Sequence, residues 1–193
     1  MLKRLLILAL LMPALALAAT DAKDKPAPSP IVVIKTNKGD ITVRLFADKA
    51  PVTVKNFLSY VDSGFYEGTI FHRVISGFMI QGGGFDVQMK EKANGEPIVN
   101  EAKNRLHNTR GTLAMARTND PDSATSQFFI NHRNNLRLDW SPLRPGYTVF
   151  GEVINGMDVV DYIAITPTHS VGPHHNVPVE PVLIENITRK SLL

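Results

Sequence analysis

The chain has no cysteine in its 193 residues. Disulfide staples, a thiolate nucleophile and cysteine metal sites are therefore excluded, whatever compartment the protein occupies. It also lacks an uninterrupted apolar run of the ~20 residues that a membrane-spanning helix needs; its strongest run, residues 5–12, is far shorter. Neither sign of charge dominates, with 21 Lys and Arg against 18 Asp and Glu. There is no basic stripe of the kind that nucleic acid demands, so no nucleic-acid partner is expected. The Gly82-Gly83-Gly84 run is not followed by the Lys-Ser/Thr of a phosphate loop and reads as a turn or bulge. No paired carboxylates and no Ser-His pattern support hydrolysis. His169, His174 and His175 match no compact ligand spacing, so no metal and no cofactor is expected.

At the N-terminus, Lys3 and Arg4 precede the apolar residues 5–12, and Ala16-Leu17-Ala18 has the small-x-small form of a cleavage site. Residues 1–18 therefore read as a signal peptide. A membrane anchor is the competing reading, and the shortness of the run weighs against it, so no stable membrane insertion is expected after cleavage. Cleavage takes Lys3 and Arg4 with it and brings the formal charge of +3 closer to neutral. Residues 19–30, rich in Ala, Pro, Lys and Asp, read as a flexible linker. Residues 31–190 remain as one domain. Export without disulfides suits a bacterial periplasm, which is the expected location.

Ile31 to Thr36 is β-branched, Asn37-Lys38-Gly39-Asp40 is turn chemistry, and Ile41, Val43 and Leu45 alternate with Thr42 and Arg44, which predicts a hairpin. Residues 50–63 are the one strong helix. Pro51 suits its first turn, Val54, Phe57, Leu58 and Val61 form its apolar stripe, and Gly64 stops it. Residues 86–110 are polar and read as a long loop. In residues 111–117, Thr112, Ala114 and Ala116 alternate with Leu113, Met115 and Arg117, a strand pattern. Further strands are expected at 127–131, 147–154 and 181–190, a short helix at 157–163, and loops at 132–146 and 166–179. About eight short strands with one or two helices fit either a closed antiparallel barrel or a sandwich.

Residues 71–85 stand apart. Alternation predicts Phe71, Arg73 and Ile75 on one face of a strand and His72 and Val74 on the other. Ser76-Gly77 turns the chain, a second apolar run covers residues 78–81, and three glycines end it. This unit sets a guanidinium beside an exposed Phe78-Met79 pair and the Gln81 amide. A charge next to apolar surface suits a polar bond inside an apolar ligand.

Phe71-His72-Arg73-Val74-Ile75, followed by Gly77-Phe78-Met79-Ile80-Gln81-Gly82-Gly83, resembles the signature of the cyclophilins, which are peptidyl-prolyl cis-trans isomerases. Ser126-Gln127-Phe128-Phe129-Ile130 resembles a second block of that family. Tyr147-Thr148-Val149-Phe150-Gly151-Glu152-Val153 with Gly156-Met157-Asp158-Val159-Val160 resembles a third. The resemblance spans most of residues 31–190 and implies a mainly β fold: a closed eight-stranded antiparallel barrel capped by two helices, with the site on its outer surface. It implies an enzyme without metal or cofactor that acts on proline-containing polypeptides; with the signal-peptide reading, the expectation is a monomer assisting the folding of exported proteins. The residue roles it implies are Arg73 as the catalytic donor and Phe78, Met79, Phe129 and Leu138 as the proline pocket. Gln81 and the backbone at Ala116 and Arg117 would hold the peptide before the proline, and Gln127 and Tyr147 complete the binding set. By residue type alone Arg73 reads as a solvated strand arginine and the four apolar residues as core; the resemblance reverses that. A peptide-binding chaperone or scaffold on the same fold, with little catalysis, is the alternative.

The sequence also departs from the family. Ser76 stands where many members carry proline, and Arg117 and Tyr147 stand where the best-known eukaryotic members carry asparagine and histidine. Arg137 falls at the position of a tryptophan implicated in binding cyclosporin, with Trp140 three residues on as the other candidate for that place. The expected result of titrating cyclosporin against peptide isomerisation is weak inhibition. A low nanomolar inhibition constant would overturn that expectation.

Overall fold

In the computed structural model, which describes residues 29–190, strands dominate and two α-helices complete the fold. The signal-peptide reading of residues 1–18 lies outside the described residues, as does all but the end of the 19–30 linker. The elements in chain order are β1 (Ile31–Thr36), β2 (Gly39–Leu45), α1 (Pro51–Asp62), β3 (Thr69–Ile70), β4 (Arg73–Ile75) and β5 (Met79–Gly82). They continue with β6 (Thr112–Met115), β7 (Phe128–Asn131), β8 (Val149–Asn155), α2 (Met157–Ala164), β9 (Thr168–Val171), β10 (His174–Pro178) and β11 (Leu183–Arg189). Nine strands form one sheet in the order β3-β11-β1-β2-β8-β6-β7-β5-β4, and all its pairings are antiparallel. Its end strands, β3 and β4, are separated in sequence only by Phe71 and His72, so the sheet must curl round on itself. Among the described residues no ladder joins β3 to β4. The barrel expected from the resemblance is therefore a curled one, not closed by strand pairing.

Side-chain alternation sorts the apolar residues onto two faces. Val32, Ile34, Val43, Leu45, Leu113, Phe128, Ile130 and Phe150 point into one large core together with Phe57 of α1 and Val160 and Ile163 of α2. Met79, Ala114, Phe129 and Val149, from the intervening positions, form a second, smaller cluster on the opposite face. All four residues of β6 are buried because both faces of that strand are covered. Helix α1 buries the predicted stripe of Val54, Phe57, Leu58 and Val61. Its N-terminus has no cap of its own. The Glu101 carboxylate accepts hydrogen bonds from the backbone N–H of Val52 and Thr53 and from the Thr53 hydroxyl, which supplies both the missing acceptor and a negative charge at the positive end of the dipole.

Three expectations need correction. Phe71 does not share a face with Arg73: the strand begins only at Arg73, and Phe71 turns inward to the core that holds Val74. The Phe78-Met79 pair is not exposed as a pair, because Met79 is only 2% exposed beneath Phe78. Residues 166–179 are not a plain loop but contain the β9-β10 hairpin. Thr168, His169 and Ser170 point to solvent there, so no apolar alternation announced the strands.

His72 lies buried, its ring 4.6 Å from that of Phe85, which in turn stacks 5.0 Å from His174 on β10. Its Nδ1 has no hydrogen-bond partner. Burial, and then the charges of His174 and Arg73, push its pKa down from 6.5 to about 4. The ring stays neutral in the folded state, so the contribution is full above pH 6.5. As the pH falls from 6.5 toward about 4, the unfolded chain takes up a proton that the folded chain refuses. Stability is expected to drop across that window by up to about 3 kcal/mol. Urea unfolding at neutral pH and at the acid end of the window should show a smaller loss in His72→Phe than in the wild type. Equal losses would refute this.

Candidate active site

Strand register assembles the site. In the antiparallel ladders Arg73 of β4 lies opposite Gln81 of β5, Gln81 opposite Phe129 of β7, and Phe129 opposite Ala114 of β6. Directly opposed residues share a face, so a guanidinium, an amide, an aromatic ring and a methyl group stand in one row across four strands. The Gln81 side chain is fixed at both ends: Arg73 Nη1 donates to its Oε1 at 3.4 Å, and its Nε2 donates to Gln127 Oε1 at 3.0 Å. The glycine run after β5 serves this arrangement. Gly83 has φ +83°, and a Cβ on Gly84 would lie 2.5 Å from Gln127 Cγ. Only glycine fits against the Gln127 side chain there.

Phe78 is set from below by the loop after β7. The Asn135 side chain and the His132 backbone N–H both donate to the Phe78 carbonyl, and the Gly77 N–H donates to His132 Nδ1. Asn135 also donates to Asn131 Oδ1, and Asn131 donates to Asn108 Oδ1 and Thr112 Oγ1. Asn108 donates to the Asp139 carboxylate through both its backbone and its side chain. Burial works to raise the Asp139 carboxyl, but the hydrogen bonds from Asn108 and His107 outweigh it and hold it below the usual carboxylate range. This amide network fixes Leu138, whose carbonyl accepts from Tyr147 N–H.

Nine of the ten sequence-predicted site residues come together. Arg73, Phe78, Met79, Gln81, Ala116, Arg117, Phe129, Leu138 and Tyr147 line one hollow of about 110 Å³. A dry apolar cavity of about 150 Å³ accepts benzene, so this space suits a single small ring. Gln127, the tenth, lines the adjoining hollow of about 310 Å³, which shares Gln81, Ala116 and Arg117. Glu91, Asn94, Thr118, Ser123 and Thr125 also line that second hollow. The sequence reading missed these five, since turn-forming residues identify a loop but not what its side chains face.

The departures at 117 and 147 form one unit. The Arg117 guanidinium sits 4.3 Å from the Tyr147 ring centroid, and Tyr147 meets Phe129 edge-on at 5.8 Å. Arg117 also donates through Nε and Nη2 to the Gly146 carbonyl and through Nη1 to that of Thr118. Of the two candidates for the tryptophan position, Arg137 is the one at the hollow, with Cζ 5.1 Å from the Phe78 ring centroid. Trp140 faces Lys103.

The arrangement can seat a small apolar ring, hold the extended chain beside it through amides, and aim a permanent positive charge at the ring's edge. Comparison with known proteins agrees in kind. The family model described as cyclophilin type peptidyl-prolyl cis-trans isomerase/CLD matches residues 31–189. A peptidyl-prolyl cis-trans isomerase of Acinetobacter baylyi is 60% identical over 162 residues, covering 84% of this chain and 86% of that protein. Peptidyl-prolyl cis-trans isomerase B of Escherichia coli is 60% identical over 161 residues, covering 82% and 98%. The crystal structure of a Cryptosporidium parvum cyclophilin type peptidyl-prolyl cis-trans isomerase in the presence of the dipeptide Ala-Pro is similar with a TM-score of 0.70 at 31% identity. It covers 83% of this chain and 99% of that one.

Proposed function

This chain belongs to the cyclophilin type peptidyl-prolyl cis-trans isomerases and is an enzyme of that class, and from that premise we propose how its site works and on what. The proline ring enters the hollow between Phe78, Met79, Phe129 and Leu138. Gln81, Gln127 and the backbone at Ala116 and Arg117 hold the residues before it. Arg73 donates to the prolyl nitrogen. Rotation about the X-Pro bond meets a barrier of ~18–20 kcal/mol because amide resonance is lost. As resonance fades, that nitrogen becomes pyramidal and gains a lone pair. A donor fixed beside it binds the twisted amide better than the planar one, which is the condition for acceleration.

Uncatalysed exchange takes tens to hundreds of seconds. Reaching an ordinary turnover of ~10–10³ s⁻¹ requires lowering the barrier by roughly 4–7 kcal/mol. One charge-assisted hydrogen bond contributes ~1.5–3 kcal/mol, or ~3–4 where water is excluded. Arg73 therefore does about half the work, and the shape of the hollow does the rest. The observation that carries this reading is the position of Arg73, aligned by Gln81 on the wall of a ring-sized hollow that Phe78, Met79, Phe129 and Leu138 also line.

The substrates proposed are exported polypeptides, whose folding the enzyme assists as a monomer in the bacterial periplasm. The support is the Lys3-Arg4, apolar 5–12 and Ala16-Leu17-Ala18 pattern. N-terminal sequencing of the protein recovered from a bacterial envelope should read Ala19 first; a chain that still begins at Met1 would overturn the export reading.

The test of the site is cis-trans exchange of a short X-Pro peptide, followed by NMR, with the protein from Ala19 to Leu193. Arg73→Ala is expected to lower kcat/KM by about 10²–10³ with unchanged thermal unfolding. It should also lose the acceleration of refolding of a proline-limited client. A folded Arg73→Ala protein that keeps its peptide rate removes the proposed donor. One that still assists refolding after losing that rate identifies a chaperone.

A further inference from the structure

Two guanidinium groups, those of Arg133 and Arg137, line the Phe78 end of the site without a carboxylate. Elsewhere on the molecule Arg44 pairs with Glu152, Arg110 with Asp161 and Arg189 with Asp62. Among the described residues, Arg73, Arg117, Arg133 and Arg137 have no such partner, as is also true of Arg105 and Arg144 away from the site, and no carboxylate lines the proline-sized hollow. Arg133 and Arg137 are exposed, and they line a further hollow of about 340 Å³ with Gly77, Asn134, Asn135 and Leu136, again without an acid. The Arg137 guanidinium carbon lies over the Phe78 ring, 5.1 Å from its centroid, and among the described residues its N–H donors have no protein acceptor. Arg133 has none either. A planar fork seated over an aromatic ring with its donors free is available for a carboxylate.

The place of this hollow along a bound chain follows from β5. Gln81, which would hold the residues before the proline, lies on one side of Met79. Phe78 and Gly77 lie on the other, next to Arg137 and Arg133. A chain that has left the proline pocket away from Gln81 must cross Phe78 toward these two arginines. At ~3.3 Å per extended residue, the side chains that reach them are about one to three positions past the proline. The hollow on the opposite side holds Glu91 together with Arg117 and so carries both signs of charge, whereas the Phe78 side carries arginines alone. Concave walls carrying one sign of charge focus the electrostatic field and raise the local concentration of the opposite sign.

We propose that Arg137 and Arg133 make the enzyme select X-Pro segments that carry carboxylate side chains immediately after the proline. This rests on the isomerase reading and on the proline lying in the Phe78–Leu138 hollow. The test uses three peptides identical up to and including the proline, followed by Glu-Glu, Gln-Gln or Lys-Lys. Exchange is measured by NMR at an ionic strength of about 0.01 M, where the Debye length is ~30 Å, and at about 1 M, where it is ~3 Å. In wild type the Glu peptide should exceed the Lys peptide in kcat/KM by about tenfold at low salt, and the two should converge at high salt. The double variant Arg133→Gln/Arg137→Gln should reduce that ratio to near unity, and Arg137→Glu should shift it toward the Lys peptide. A wild-type ratio of unity at low salt overturns the proposal. So does an unchanged ratio in the folded variants, because a merely structural role would slow all three peptides alike. The uncharged Gln peptide separates the two levels. If it is accelerated without any charge preference, isomerisation stands and the selectivity fails; if it is not accelerated, both fall.

Discussion

The register of four antiparallel strands is the constraint on which the site depends. Arg73, Gln81, Phe129 and Ala114 come from stretches of sequence up to 56 positions apart, yet the ladders leave them no freedom but to stand in line. A slip of one residue in any ladder would turn that strand's members of the row to the opposite face. The two-sided burial of these strands guards against such a slip. Leu113, Phe128 and Ile130 are locked in the large core, and Met79, Ala114 and Phe129 in the small one. A register error would exchange the two sets. The cluster beneath the hollow therefore does two jobs: it forms the apolar floor, and it fixes the strand that carries the proposed donor's partner.

The loop that closes the hollow depends on a different force. Residues 132–147 contain little regular structure and could not hold Phe78 and Leu138 by backbone pairing alone. Asn108, Asn131 and Asn135 are buried there, and each amide left without a partner would cost about 1–3 kcal/mol. The arrangement observed satisfies them against one another, against Thr112 and against the Asp139 carboxylate. Such a network tolerates few alternative conformations, because any displacement of the loop breaks several bonds at once. Rigidity at the pocket wall thus comes from polar groups, while its surface stays apolar.

What was legible in the sequence followed the same division. Helix α1 and the β1-β2 hairpin were visible because their apolar residues repeat at 3.6 and 2, and Pro51 and Gly64 mark the helix ends. The motif blocks suggested a candidate set of ten residues, nine of which line one hollow. The inward turn of Phe71 was not legible, since alternation assumes a continuous strand and the chain bends at residues 71–72. Nor was the β9-β10 hairpin, whose first strand turns Thr168, His169 and Ser170 to water while only Val177 and Pro178 at the end of β10 are buried. Glu101 reaches the start of α1 from a loop 48 positions away from Thr53, and no local pattern reports such a cap. The choice between Arg137 and Trp140 depended on the path of an irregular loop, which composition does not specify.

Isomerisation of a prolyl bond makes and breaks no covalent bond, and this explains how much of the surroundings can vary. The chemistry asks for one donor and one ring-sized apolar hollow, both set by the strand row and the small cluster. The residues at 117, 137 and 147 stand outside that requirement. Arg117 and Tyr147 pack as a pair: the guanidinium lies over the ring, and the ring meets Phe129 edge-on, so the two side chains form one stretch of wall with Phe129. Arg137 lies over the Phe78 ring and adds a positive charge there. The electrostatic character of the rim changes accordingly. On the proposed path a peptide crosses this rim as it leaves the pocket, and on that path the positions that depart from the family's pattern can choose among substrates without altering the step itself.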